Sequence, residues 1–175
     1  MGVQSLLIYT VAAWLPGWLQ TLGTTPQMSG TWLFIYLVSG LPASVLTPRF
    51  MRWCGSERTA ECVLAGLYLF GVAGWTAGGA WLLPASIAAG ASQGAMLSVA
   101  FLLMAEKTSG TREMLAMSAL AQGVGYLFAG TGPWIFGLLL ETGGAAGWIS
   151  GRNFAAVMIV LWAAAGWMAA RRRRI

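Results

Sequence analysis

The chain has 175 residues, 58% of them hydrophobic and only 9% charged, with a mean hydropathy of +0.70. Soluble domains carry about 25% charged residues, so this composition excludes an ordinary water-soluble fold and points to a helical bundle in a lipid bilayer. The net charge of +5 does not argue for a nucleic-acid partner: four of the ten Lys and Arg stand together as Arg171 to Arg174, directly behind an apolar segment, where they anchor a helix end at the membrane surface.

Ten Trp and 24 Gly fit that setting, with indole rings at the interfaces and glycines letting helices approach. The basic n-region of a signal peptide is missing, since Met1 to Pro48 carries no charge.

Charged residues punctuate the sequence, and the uncharged runs between them measure out helices, each span needing ~20 apolar residues. Residues 1–48 divide at Gly23-Thr24-Thr25-Pro26 into helices of about 3–22 and about 28–48. Residues three or four apart share a helix face. The first helix thus groups Ser5, Tyr9, Ala13, Pro16 and Gln20, and the second groups Ser29, Trp32, Tyr36, Ser39, Ala43 and Thr47. A basic loop over 49–58 follows. Residues 62–105 divide at Gly78-Gly79 and Pro84 into helices of about 59–77 and about 82–105. In the third, Tyr68 is the one polar group between Val63 and Gly74, whereas the fourth groups Ser86, Gly90, Gln93 and Gly94. Beyond a second charged loop, 106–113, the fifth helix (about 114–139) aligns Ser118, Gln122, Tyr126, Ala129 and Pro133. The stretch Gly143-Gly144-Ala145-Ala146-Gly147 leads to a sixth helix of about 150–170, polar from Phe154 onward only at the indoles of Trp162 and Trp167.

With six spans, the loops 49–58 and 106–113 and the C-terminal tail share one side and hold nine of the ten Lys and Arg; Arg152 alone falls opposite. The positive-inside rule makes that side the cytoplasm and places both termini there. Glu57, Glu61, Glu106 and Glu113 then map to the cytoplasmic rim and Glu141 to the outer one. The fold expected is an all-α membrane protein, one domain over 1–175.

Lipid cannot satisfy polar faces, so they turn toward protein or a water-filled cavity. Taken singly, such stripes also serve plain helix packing, as the GxxxG spacings Gly74/Gly78 and Gly90/Gly94 do. Their order is more telling: striped, striped, bare, and the same again. That reads as two three-helix units, inverted relative to each other, an arrangement found in transporters. The bare third and sixth helices are expected to face lipid around most of their circumference.

Enzyme chemistry is poorly supplied. The chain has neither His nor Asp, which removes Ser–His dyads, paired-aspartate proteases and HExxH zinc sites. Gly123-Val124-Gly125 is no phosphate loop, since no strand precedes it and no Lys follows. Cys54 and Cys62 are too few for a disulfide framework and read as free thiols. No cofactor or metal is expected.

Three further pieces carry a family likeness. Ala13-Trp14-Leu15-Pro16 in the opening helix is followed by Gly40-Leu41-Pro42-Ala43 and Pro48-Arg49 in the second; the basic loop runs from Arg49 to Arg58; and Leu120-Ala121-Gln122-Gly123-Val124-Gly125-Tyr126-Leu127 runs into Gly132-Pro133 and Gly137. On these residues the chain resembles the carboxyl-terminal six-helix half of a major facilitator superfamily transporter, similar to the cyanate and nitroimidazole porter branch. The resemblance implies a central cavity lined by the first and fourth helices of this chain, the second and fifth at the interface between halves, and the third and sixth outside. It also implies a twelve-helix whole, so this chain would form one cavity wall, as a truncated or split product or paired with a second half, either an amino-terminal half or another copy.

The expected function is transport of a small solute, either an anion such as cyanate or a neutral heterocycle, by alternating access in the inner membrane. The alternative is a non-transporting fragment or scaffold subunit. Candidate solute-binding residues are Tyr9, Trp14, Tyr36, Gln93, Gln122 and Tyr126. Gln122 leads, because an amide at mid-span is costly unless partnered, although a bond to a neighbouring helix would serve it equally. Any coupling carboxylate is expected in the other half.

The orientation can be checked with a single thiol. In a chain with Cys54 and Cys62 replaced, Ser109→Cys should react with a membrane-impermeant maleimide in inside-out vesicles and stay unlabelled in intact spheroplasts; labelling from outside would reverse the topology.

Overall fold

The computed structural model describes residues 1–143 and 146–169. They form six long helices: α1 (Gly2–Thr21), α2 (Pro26–Cys54), α3 (Glu57–Ala77), α4 (Leu82–Lys107), α5 (Thr111–Gly143) and α6 (Gly147–Ala169), with a short 3-10 turn at Gly79–Trp81 leading into α4. Gly144 and Ala145 of the expected final turn, and the run Arg171 to Arg174, lie outside the described residues.

Helices α2, α3, α4 (with the turn before it), α5 and α6 are each long and apolar enough to cross a membrane. The chain is therefore a multi-pass membrane protein. α1 is not among the five; its 20 residues include Gln4, Ser5, Thr10, Gln20 and Thr21, which lower its apolar character.

α2 runs past the expected stop at residue 48 to Cys54. Proline lacks an N–H and leaves the carbonyl four residues earlier without its helical partner. For Pro48 that carbonyl belongs to Ser44, and Ser98 of α4 donates its hydroxyl to it at 2.9 Å. A neighbouring helix thus repairs the break and the helix continues. It ends where Gly55 adopts a left-handed conformation (φ 69°) and its N–H bonds the Arg52 carbonyl. Ser56 then caps α3 by accepting the Thr59 N–H at 3.1 Å. The supposed loop 49–58 is consequently a two-residue turn, with Arg49 and Arg52 on α2 and Arg58 on α3. At the head of α5, Glu113 Oε2 accepts both the N–H and the hydroxyl of Ser109, at 3.0 and 2.7 Å.

Three helix pairs carry most of the packing: the parallel pairs α2–α4 and α1–α5, and the antiparallel pair α3–α4. Glycines allow each approach. A Cβ on Gly94 would overlap the Gly40 carbonyl, one on Gly90 the Tyr36 carbonyl, and one on Gly132 the side chains of Leu6 and Thr10. α3 lies antiparallel on α4, where Gly71 and Gly74 face Ala89 and Ala85.

This placement corrects the expectation for α3. It buries as much of its length as α4 and far more than α2, enclosing Leu64, Tyr68, Val72 and Trp75. Small-residue packing, which a polar-stripe reading does not detect, draws it inward. Glu57 and Glu61, at the start of α3, are 3% and 2% exposed.

A single added methyl tests the α2–α4 crossing. Gly94→Ala should lower stability by about 1–3 kcal/mol through overpacking, seen as a reduced melting temperature in detergent. Gly123→Ala, with open space around it, should leave the melting temperature unchanged or raised.

Candidate functional site

Between the α1–α5 pair and the α2–α4 pair lies a cleft of about 270 Å³. All four of these helices line it, and α3 and α6 do not. From α1 come Gln4, Ser5 and Tyr9; from α2, Tyr36, Gly40 and Ser44; from α4, Gly90, Gln93 and Gly94; from α5, Tyr126. No charged side chain is among the described residues that line it.

Gln93, 4% exposed, sets the polarity of the wall. Its Nε2 donates to Gln4 Oε1 at 2.7 Å and to the Gln4 backbone carbonyl at 3.1 Å. Both partners can only accept, so this end of the side chain must be the NH₂ group. The opposite end is therefore the carbonyl oxygen, and Oε1 is buried without a hydrogen-bond partner. A buried acceptor left unpaired costs about 1–3 kcal/mol. Gln4 Nε2 is already engaged with Ser5 Oγ at 2.9 Å.

Aromatic rings frame the same space. Tyr9 and Tyr126 are about two-fifths exposed, with ring centroids 6.2 Å apart. Tyr36 is fully buried: its hydroxyl pairs with that of Tyr68 on α3 at 2.9 Å, and its ring meets Trp75 edge-on at 5.6 Å. Tyr36 thus borders the cleft while its hydroxyl points into the protein. Trp75 in turn donates to Ser86 Oγ at 3.0 Å.

Of the six residues singled out from the sequence, Tyr9, Tyr36, Gln93 and Tyr126 line the cleft, whereas Trp14 and Gln122 do not. Trp14 instead joins α1 to α5, donating to the Pro133 carbonyl at 2.9 Å and stacking on Phe136 at 5.9 Å. Gln122 is satisfied along its own helix: it donates to Ser118 Oγ at 2.8 Å and accepts from the Tyr126 hydroxyl at 3.2 Å.

Sequence reasoning passed over Gln4 and Ser44. The face of α2 that borders the cleft is Tyr36, Leu37, Gly40, Leu41 and Ser44, rotated from the expected stripe. Ser29, Ser39 and Thr47 of that stripe return their hydroxyls to their own helix, at Thr25, Ile35 and Ala43, so a hydroxyl stripe alone does not mark a wet face. An amide as close to the chain start as Gln4 was the signal available for it.

These features define a multi-pass helical membrane protein with an uncharged, aromatic-rimmed interior cleft of small-molecule size. Comparison with known proteins agrees with that class. The chain is 32% identical over 130 residues to a putative anionic 4-hydroxy-benzoate permease of Thauera aromatica, covering 74% of this chain and 72% of that protein, and it belongs to the same family of membrane permeases. It is 33% identical over 143 residues to an uncharacterized transporter, YycB, of Bacillus subtilis (strain 168), covering 81% of this chain and 36% of that one. It is 25% identical over 175 residues to a 2-nitroimidazole transporter of Escherichia coli (strain K12), covering all of this chain and 44% of that one. The chain therefore spans less than half the length of these last two relatives. No protein-family profile and no solved structure matches it.

The amide pair makes a non-additive prediction. Gln4→Leu removes the shorter of the two acceptors of the Gln93 amide and leaves the backbone carbonyl; it should destabilise by about 1 kcal/mol, whereas replacing both by Leu should recover most of that loss. Chemical unfolding in mixed micelles measures it, and additive losses would show that the two side chains are not coupled.

Proposed function

We propose that the chain is one six-helix half of a major facilitator-type transporter in the cytoplasmic membrane. In this reading it moves a small, flat, neutral solute bearing an N–H or O–H donor, by rocking against a second six-helix half around the cleft. The unpaired Gln93 Oε1 in the cleft wall carries the proposal: it wants a donor, and the Tyr9 and Tyr126 rings provide flat surface for an unsaturated ring.

Two observations support it. The helix pairs α1–α5 and α2–α4 exchange when each helix is replaced by the one three positions along the chain, as two inverted three-helix repeats require. The relative named a 2-nitroimidazole transporter bears the name of a flat heterocycle whose ring N–H is such a donor. A small anion such as cyanate fits this wall less well, since no cation is among the described residues that line it; the opposing half would have to supply the positive charge. Both basic turns would face the cytoplasm.

The test is uptake of 2-nitroimidazole by cells expressing the chain together with an amino-terminal six-helix half from a relative. Uptake should require both halves, and Gln93→Leu should reduce it about tenfold, the equivalent of roughly 1.4 kcal/mol. No uptake by correctly inserted protein, or full uptake by Gln93→Leu, would favour a non-transporting scaffold.

A further inference from the structure

A second recess, of about 240 Å³, opens near the end of α5, about two helical turns beyond Tyr126. Trp14 of α1 and Pro133, Trp134, Gly137, Leu138 and Glu141 of α5 line it. Most of its polar groups satisfy one another, since the Trp14 N–H meets the Pro133 carbonyl at 2.9 Å. Trp134 and Leu138 add exposed apolar surface. Gly137 leaves room for the Trp14 indole, which a Cβ there would approach to 3.1 Å.

The exception is Glu141. Its side chain is exposed and has neither a hydrogen bond nor an ion pair with any described residue. Arg152, the basic residue of α6, leans instead toward Asn153 Oδ1 at 3.4 Å. Glu141 also stands in the last turn of α5, which holds no basic residue. The unpaired carbonyls of a helix end carry partial negative charge, so helix end and carboxylate together make this recess a place for a cation.

We propose that this recess binds a quaternary ammonium group, the trimethylammonium head of a choline-type solute or lipid. Glu141 is its counter-charge, and the Trp14 and Trp134 indoles receive its methyl groups. A quaternary ammonium has no N–H and asks for no acceptor, and its diffuse charge is well matched to indole. A primary ammonium carries three donors and would find one free carboxylate. A divalent metal would lack the six or so oxygens it needs, and no cluster of metal-ligating side chains occurs among the described residues. The site is separate from the cleft and does not depend on what the cleft carries.

The experiment is calorimetric titration of the purified full chain in dodecyl maltoside micelles with choline chloride, and with dimethylbutanol as its uncharged carbon isostere. Saturable binding of choline is expected, about tenfold tighter than that of the alcohol. Glu141→Gln and Trp134→Leu, both at exposed side chains, should each weaken it about fivefold without moving the melting temperature. No saturable binding, equal binding of alcohol and choline, or unchanged binding in either variant would overturn the proposal. Nanodiscs separate the two sources of the ligand. Choline binding lost in phosphatidylcholine discs but kept in phosphatidylglycerol discs assigns the site to a lipid headgroup, and binding kept in both assigns it to a free solute; loss in both would overturn the proposal as well.

Discussion

The arrangement of this bundle turns on one side-chain amide. Gln93 lies at mid-span in α4, where hydrocarbon and protein interior alike penalise an unpaired polar group. Its NH₂ group is met by Gln4 of α1 through two acceptors. α1 and α4 belong to different parallel pairs and touch little otherwise, so this contact ties one pair to the other. It also fixes which end of the amide is left unpaired. The same bond that joins the two pairs leaves the amide's acceptor, rather than a donor, buried without a partner.

The remaining geometry holds that space open at fixed width. On one side, α2 and α4 are in backbone contact at Gly40 and Gly94, and Ser98 caps the carbonyl that Pro48 frees, so α2 passes the cleft without breaking. On the other, Trp14 fastens α1 to α5 through the Pro133 carbonyl. α3 supports the floor from behind through the Tyr36–Tyr68 hydroxyl pair and Trp75. Each device uses a polar group or glycine inside an apolar helix, where the absence of water leaves no cheaper way to satisfy it.

Much of this architecture was legible in the sequence, because the signals are one-dimensional. Charges separate uncharged runs, and the runs are long enough to be helices; the described residues form six long helices, although α2, α4 and α5 run past their expected ends. That α1, α2, α4 and α5 enclose the cleft follows from their polar and small residues. Helix rotation was less legible. On α2 the hydroxyls of Ser29, Ser39 and Thr47 close onto their own backbone, and the cleft borders a neighbouring face. Gln122 and Gln93 look alike in sequence, yet one is satisfied within its helix and the other across 89 positions of chain. The burial of Glu61 and of α3 depends on glycines at 71, 74 and 166 meeting particular partners, information that only the folded chain contains.

The central claim is that α1, α2, α4 and α5 enclose a solvent-reachable cleft while α3 and α6 stand outside it. Reaction rates with a water-soluble thiosulfonate at single cysteines test it most directly, in a background with Cys54 and Cys62 replaced. Leu37→Cys and Leu97→Cys, on the cleft wall, should react quickly, whereas Leu67→Cys and Val157→Cys, exposed on α3 and α6, should be inert within the bilayer. Fast reaction at positions 67 and 157 with silence at 37 and 97 would contradict the account.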